Sequence, residues 1–286
     1  MPAGIGEKMR EKLEQYIQAF AGSAPQLVIC GGGYVAIAVV KIGKMTGFSV
    51  TVLEDRPLYA DYARAAGADT VICDTFENGL AQVAGGKNTF FVVVTRGHRY
   101  DKECLKQICE KPAAYVGMIG SRRRVALLKE QLFGQGISKE WLDVLHAPIG
   151  LDIGAETPEE IAVAIMAEII AEKNKSGSTT AFSVEQQEAM RCALQSGERL
   201  VLATITAREG SAPRRVGTKM IVRDDGTCIG TIGGGCMEAQ VQQEARSLFR
   251  SGGERKKTLQ LTLRADEAEE EGMVCGGALE ILLERL

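Results

Sequence analysis

Several patterns that would announce a function are missing from this chain. It has 2 histidines in 286 residues, and none of its 8 cysteines forms a CxxC pair. Metal-ligand spacing and a dense disulfide framework are therefore both excluded, and no catalytic triad is visible. There is no uninterrupted apolar run of about 18 residues, the length a membrane helix needs. Residues 1–21 carry charges at regular intervals where a signal peptide would have its apolar core. The formal net charge is −3, and neither the part before Ser178 (net −1) nor the part after it (net −2) is basic. Nucleic acid is thereby excluded as a partner. These absences predict a cytoplasmic protein with no membrane span and with reduced thiols.

What is present is enough for two domains: 286 residues, 45% hydrophobic and 25% charged. The chemistry concentrates in Thr231-Ile-Gly-Gly-Gly-Cys-Met-Glu238, where an apolar strand runs into Gly233, Gly234 and Gly235 and an amphipathic run follows. Glycines there permit positive φ and let another molecule approach the backbone. Cys236 falls in the first turn of the predicted helix. Unpaired N–H groups and the helix dipole favour negative charge in such a turn, whether a thiolate or a bound anion. A lone cysteine is more simply a small buried hydrophobe, but Cys275-Gly-Gly277 repeats the thiol–glycine combination before the last strand. Two such pairs in one domain favour a functional thiol at Cys236, with Cys275 in support.

The first half reads as alternating strand and helix. Residues 5–20 form an amphipathic packing helix. Gln26 to Cys30 is a short apolar strand that breaks into Gly31-x-Gly33-x-x-Ala36, the opening of a dinucleotide-type βαβ unit. A second strand, Phe48 to Leu53, ends in Glu54-Asp55-Arg56. This run stands at the offset where an acidic residue would hold a ribose hydroxyl, with Asp55 and Arg56 as the candidate cofactor contacts. Strands follow at 70–73, 89–95 and 113–118, with helices at 101–110 and 122–133. Two further strand ends look chemical: Thr95 to Asp101, with His98, and Gly117 to Arg124, with Ser121 and Arg122. The carboxyl ends of parallel strands are where open α/β sheets bind ligands. Three arginines at a helix start oppose its dipole, which a bound anion would offset. A scaffold that packs this way and binds no nucleotide is the plainer alternative, and His146 is structural.

A capping box at Thr157 and Glu160 opens a helix running to about Glu172, and a polar linker, Lys173 to Thr180, follows. Beyond it the pattern changes to hairpins. Ser211, Arg214, Arg215 and Lys219 lie in and beside a turn-rich basic loop suited to a polyanionic ligand, although a surface charge cluster explains any one of them. The fold expected is α/β: a Rossmann-like parallel-sheet domain over residues 1–175, followed by a smaller α+β domain over residues 179–286.

The chain resembles the XdhC/CoxI proteins, accessory factors for molybdenum hydroxylases such as xanthine and carbon monoxide dehydrogenases. The resemblance rests on Gly210-Ser-Ala-Pro-Arg-Arg-Val-Gly-Thr-Lys-Met220, Gly230-Thr-Ile-Gly-Gly-Gly-Cys-Met-Glu238 and Cys275-Gly-Gly277 in the second half. In the first half it rests on Cys30 to Ala36, Asp55-Arg-Pro57, Thr95 to Asp101, Gly117 to Arg122 and Pro148 to Ile161. The family usually has the glycine–cysteine domain first, whereas here the order is reversed, and Tyr34 stands where members tend to have histidine. The resemblance implies a protein that binds the molybdenum cofactor (molybdopterin), with Cys236 as the thiol nearest the metal and the glycines, cations and Glu238 around it. It further implies that a cysteine desulfurase adds the terminal sulfur and that the apo-hydroxylase receives the product; a homodimer is the expected assembly. The competing reading is an NAD(P)-dependent oxidoreductase that uses the Rossmann turn and a thiol. A structural module without cofactor is the third.

Overall fold

The computed structural model describes residues 11, 13–16, 25–175, 182–210, 214–251, 255–262 and 277–286. The chain divides into two compact units, one of residues 24–177 and one that joins residues 178–286 to the N-terminal stretch.

The first unit contains β1 (Gln26–Cys30), α1 (Tyr34–Met45), β2 (Ser49–Leu53), α2 (Pro57–Ala65), β3 (Thr70–Ile72), α3 (Phe76–Ala81) and β4 (Thr89–Val93). These are followed by α4 (His98–Ile108), β5 (Tyr115–Met118), α5 (Arg122–Phe133), α6 (Lys139–Val144) and α7 (Pro158–Lys175). The sheet order is β3-β2-β1-β4-β5 and every pair is parallel. Strand residues alternate between two apolar layers. Leu27, Ile29, Val50, Val52, Phe90 and Val92 face α1 and α7, while Val28, Cys30, Phe91 and Val93 face α4 and α5. β1 lies between β2 and β4, so the strand order reverses above it, which in open α/β sheets opens a crevice at the carboxyl ends of the strands. Helices α2, α3 and α6 are additions to the elements expected from sequence. Each is short, and each has only a local start signal: Pro57 at the first turn of α2, and Thr75 and Ser138 accepting backbone N–H bonds at the starts of α3 and α6.

The second unit contains α8 (Val184–Ser196), β6 (Leu200–Gly210), β7 (Lys219–Arg223), β8 (Cys228–Gly230), α9 (Gly235–Arg250), β9 (Lys256–Thr262) and β10 (Gly277–Arg285). Its antiparallel sheet has the order β8-β7-β6-β10-β9. One face takes α9 through Met237, Val241, Ala245 and Leu248. The other face takes α8 and the N-terminal helical residues: Leu13 is buried with Phe182, Met190 and Leu200. The ring of Tyr16 lies 6.0 Å from that of Phe182, and its hydroxyl donates to Glu284 at 3.0 Å. Burial, the largest cause, together with that pairing to a carboxylate, pushes the Tyr16 hydroxyl up to about 12.

The expectation that residues 1–175 form one domain therefore needs correcting at its start. Leu13 and Tyr16 of the N-terminal helix are spent on the second unit, and in the chain the Rossmann unit is inserted between the two pieces. A fragment of residues 24–177 should unfold cooperatively on its own. A fragment beginning at residue 178 should be less stable than one to which a peptide of residues 1–23 is added, because Leu13 covers apolar surface worth about 2 kcal/mol. Urea melts with and without the peptide check this, and no effect of the peptide would refute the assignment.

Candidate functional site

In the second unit the sheet register gathers three glycine-containing segments at one end. β8 runs upward against β7, with Gly230 opposite Met220, and leads into the loop at Thr231. β6 runs to the same end, where Gly210 pairs with Gly277 of β10. The loop ahead of α9 has Gly233, Gly234 and Gly235 at φ 140°, 85° and 62°, three successive left-handed residues that only glycine adopts without strain. The carboxylate of Glu238, one turn into α9, holds the loop by accepting from Ile232 N–H at 3.2 Å, from Gly234 N–H at 2.9 Å and from the Thr231 hydroxyl. Part of the expected ligand-facing role of Glu238 is thus taken up internally.

Cys236 sits in the first turn of α9, half-buried against the apolar layer that also holds Met237 and Val241. A methyl added at Gly234 would meet no atom within 4 Å, so there is open space at that position. Ser211 and Cys275 lie outside the described residues.

The cations expected around Cys236 do not all converge on it. Arg214 and Arg215 are exposed. Lys219 belongs to the opposite face of the sheet. Strand alternation puts Met220 and Val222 under α9 and Lys219 and Ile221 under α8, and the Lys219 ammonium stands 5.0 Å from the Phe182 ring and donates to Gly217 O at 3.0 Å. Desolvation there lowers its pKa. Sequence spacing cannot show this, because adjacent strand residues point to opposite faces.

In the first unit the glycine turn lies at the reversal point. At Gly31, φ is 121° and an added Cβ would stand 2.5 Å from Val94 O, whereas at Gly33 it would meet nothing within 4 Å. Ala36 is buried against the sheet, as the third position of the pattern requires. Gly33 is the N-cap of α1, and Tyr34 beside it is 77% exposed. Gly31→Ala should therefore cost at least about 2 kcal/mol from strain and overlap, and Gly33→Ala under about 1 kcal/mol. Thermal melts of the two variants decide, and equal effects would refute the difference in role.

The acid that touches this turn is Glu54, not Asp55. Glu54 is 1% exposed, and its carboxylate accepts from Gly32 N–H at 2.6 Å and from Arg56 Nε at 2.7 Å. Asp55 is instead held by Arg96, which also donates to the Tyr100 hydroxyl at 2.8 Å. The Arg96 hydrogen bond keeps the Asp55 carboxyl below its ordinary range. This pair therefore contributes at pH above the unfolded-state carboxylate value and its contribution is lost as pH falls through the lower folded value. Glu54 belongs to the strand-end run named from sequence, and Arg96 could have been found by the same signal, a charge at a strand end, that points to His98. His98 opens α4, and its side chain lies outside the described part.

The arginines of α5 do not need a bound anion to offset the helix dipole. Arg124 pairs with the fully buried Asp101 of α4, which also accepts from the Thr95 hydroxyl at 2.6 Å. Arg122 reaches Asp152 at 3.5 Å in solvent, and Ser121 caps the helix by accepting from Arg124 N–H at 3.3 Å. His146 is structural, with its Nδ1 3.3 Å from Glu168 and its ring 4.4 Å from that of Tyr115. Among the described residues no group of histidines, cysteines and carboxylates could hold a metal ion, and no helix is long and apolar enough to cross a membrane.

A parallel Rossmann-type unit joined to an antiparallel unit that presents a cysteine behind a left-handed glycine loop defines a two-unit α/β protein. The chain belongs to the XdhC and CoxI family: its residues 27–169 match the XdhC Rossmann domain, and residues 193–262 match the XdhC and CoxI family domain. It is 32% identical over 146 residues to a probable xanthine dehydrogenase subunit of Bacillus subtilis, covering 51% of this chain and 42% of that protein. It is 35% identical over 97 residues to the molybdenum cofactor insertion chaperone PaoD of Escherichia coli, covering 33% and 29%. It is 32% identical over 156 residues to the uncharacterized protein YqeB of the same bacterium, covering 54% and 28%. The chain thus spans less than half the length of each of these relatives.

Proposed function

We propose that this protein binds the molybdenum cofactor and supports its delivery to a molybdenum hydroxylase of the xanthine dehydrogenase type. The observation that carries the reading is the run of three left-handed glycines, open to space at Gly234, that brings Cys236 into the first turn of α9. The first turn of α9, which the loop presents, offers backbone N–H groups to a phosphate, and the thiol offers a soft ligand to a thiophilic metal. Family membership and the names of two relatives support the same reading.

In this scheme Glu238 fixes the loop, Cys236 is the thiol presented to the cargo, and Arg214 and Arg215 supply exposed positive charge in the segment between β6 and β7. Sulfuration by a cysteine desulfurase, hand-over to an apo-hydroxylase, a homodimeric assembly and a cytoplasmic location belong to the same proposal. The test is molybdenum and oxidised-pterin analysis of protein purified from a host that makes the cofactor. Near-stoichiometric pterin without hydride turnover is the expected result. Absence of both metal and pterin, or NAD(P)H turnover in their place, would overturn it.

A further inference from the structure

The crevice above β1 carries a charge arrangement that suits a phosphate better than a free ribose diol. In Rossmann sites for NAD an acid after β2 accepts from the ribose hydroxyls, and where that ribose bears a 2′-phosphate an arginine accommodates it. A carboxylate has about four acceptor sites. On Glu54 four protein donors occupy them: Gly32 N–H at 2.6 Å, Arg56 N–H at 3.2 Å, Arg56 Nε at 2.7 Å and Arg56 Nη2 at 3.2 Å. Asp55, the next acid, is bridged by both terminal nitrogens of Arg96. A diol would have to displace one of these donors from Glu54, and on Asp55 it would compete with the paired Arg96 guanidinium.

Donors, by contrast, are at hand and oriented. The side chains of Arg56 and Arg96 are 33% and 34% exposed. Arg56 is fixed by Glu54 and lies 3.7 Å over the Tyr59 ring, and Arg96 is fixed by Asp55 and lies 4.4 Å over Tyr100. Among the described residues Nη1 of Arg56 makes no hydrogen bond. A planar guanidinium held in one orientation matches a phosphate in geometry and charge. Gly33, at the start of α1 in the same crevice, leaves space for a pyrophosphate to approach the backbone.

We infer that the first unit takes a dinucleotide whose adenosine ribose is phosphorylated, NADP and not NAD, with Arg56 as the residue that determines the choice. The inference rests on the glycine turn being a nucleotide site and is independent of the cargo assigned to the second unit. Calorimetric titration of the full chain with NADP⁺ and NAD⁺ tests it. NADP⁺ is expected to bind at least about tenfold more tightly, as a charge-assisted phosphate contact allows. In the double variant Glu54→Gln/Arg56→Gln, which removes both charges together and keeps an acceptor for Gly32 N–H, NADP⁺ affinity should fall to that of NAD⁺. Equal affinities in the native chain, a preference for NAD⁺, or a preference for NADP⁺ that survives in the double variant would overturn the assignment of Arg56. Binding of neither dinucleotide would overturn the nucleotide site as well, while pterin retained in the same preparation would leave the reading of the second unit standing.

Discussion

Cys236→Ser should lower retention of the molybdenum cofactor by at least about tenfold, since even residues that only support a metal ligand are worth roughly 10–100-fold in affinity. The same change should alter stability by less than about 1.5 kcal/mol, because serine is close to cysteine in volume and the site is half-buried. Cys192→Ser is the control: that thiol is exposed on α8, outside the glycine loop. Bound pterin should also protect Cys236, and not Cys192, from alkylation. A buried structural cysteine would give the opposite result, with normal pterin content and a large loss of stability. That outcome would remove the thiol from the proposed function.

The largest effect on stability is expected in the first unit, at Asp101. Its carboxylate is fully buried between the Thr95 hydroxyl and the Arg124 guanidinium, and it joins the end of β4, α4 and the start of α5. Asp101→Ala leaves a largely buried arginine without its counter-charge, a change that costs about 3–5 kcal/mol. Asp101→Asn keeps an acceptor for Thr95 and should lose less. Urea unfolding of both variants tests this, and losses within about 1 kcal/mol for each would show that the arginine finds water or another partner without cost.

Much of the fold was legible because it is written locally. The parallel sheet follows from short apolar runs alternating with amphipathic ones, and the reversal point follows from Gly31, Gly33 and Ala36 behind β1. The capping box at Thr157 and Glu160 fixes the start of α7, and both of its hydrogen bonds form. Helices α2 and α3, of 9 and 6 residues, were not legible because so few turns leave no clear periodicity.

The candidate site was legible only in part, and the reason is spatial. The sequence by itself determined which residue types could do the chemistry: glycines free to take left-handed conformations, a thiol behind them, and charged groups at strand ends. It could not say which charges are spent on one another. Arg124 turned to Asp101, Asp55 to Arg96 and Glu54 to Arg56 and Gly32. Nor could it pair the N-terminal helix with Phe182, more than 160 residues further along the chain, or place Lys219 on the face opposite Cys236. Local conformation depends on neighbours in the chain, and sequence records those. Charge pairing and the choice of sheet face depend on groups that folding brings together from distant positions, so only the tertiary structure decided them.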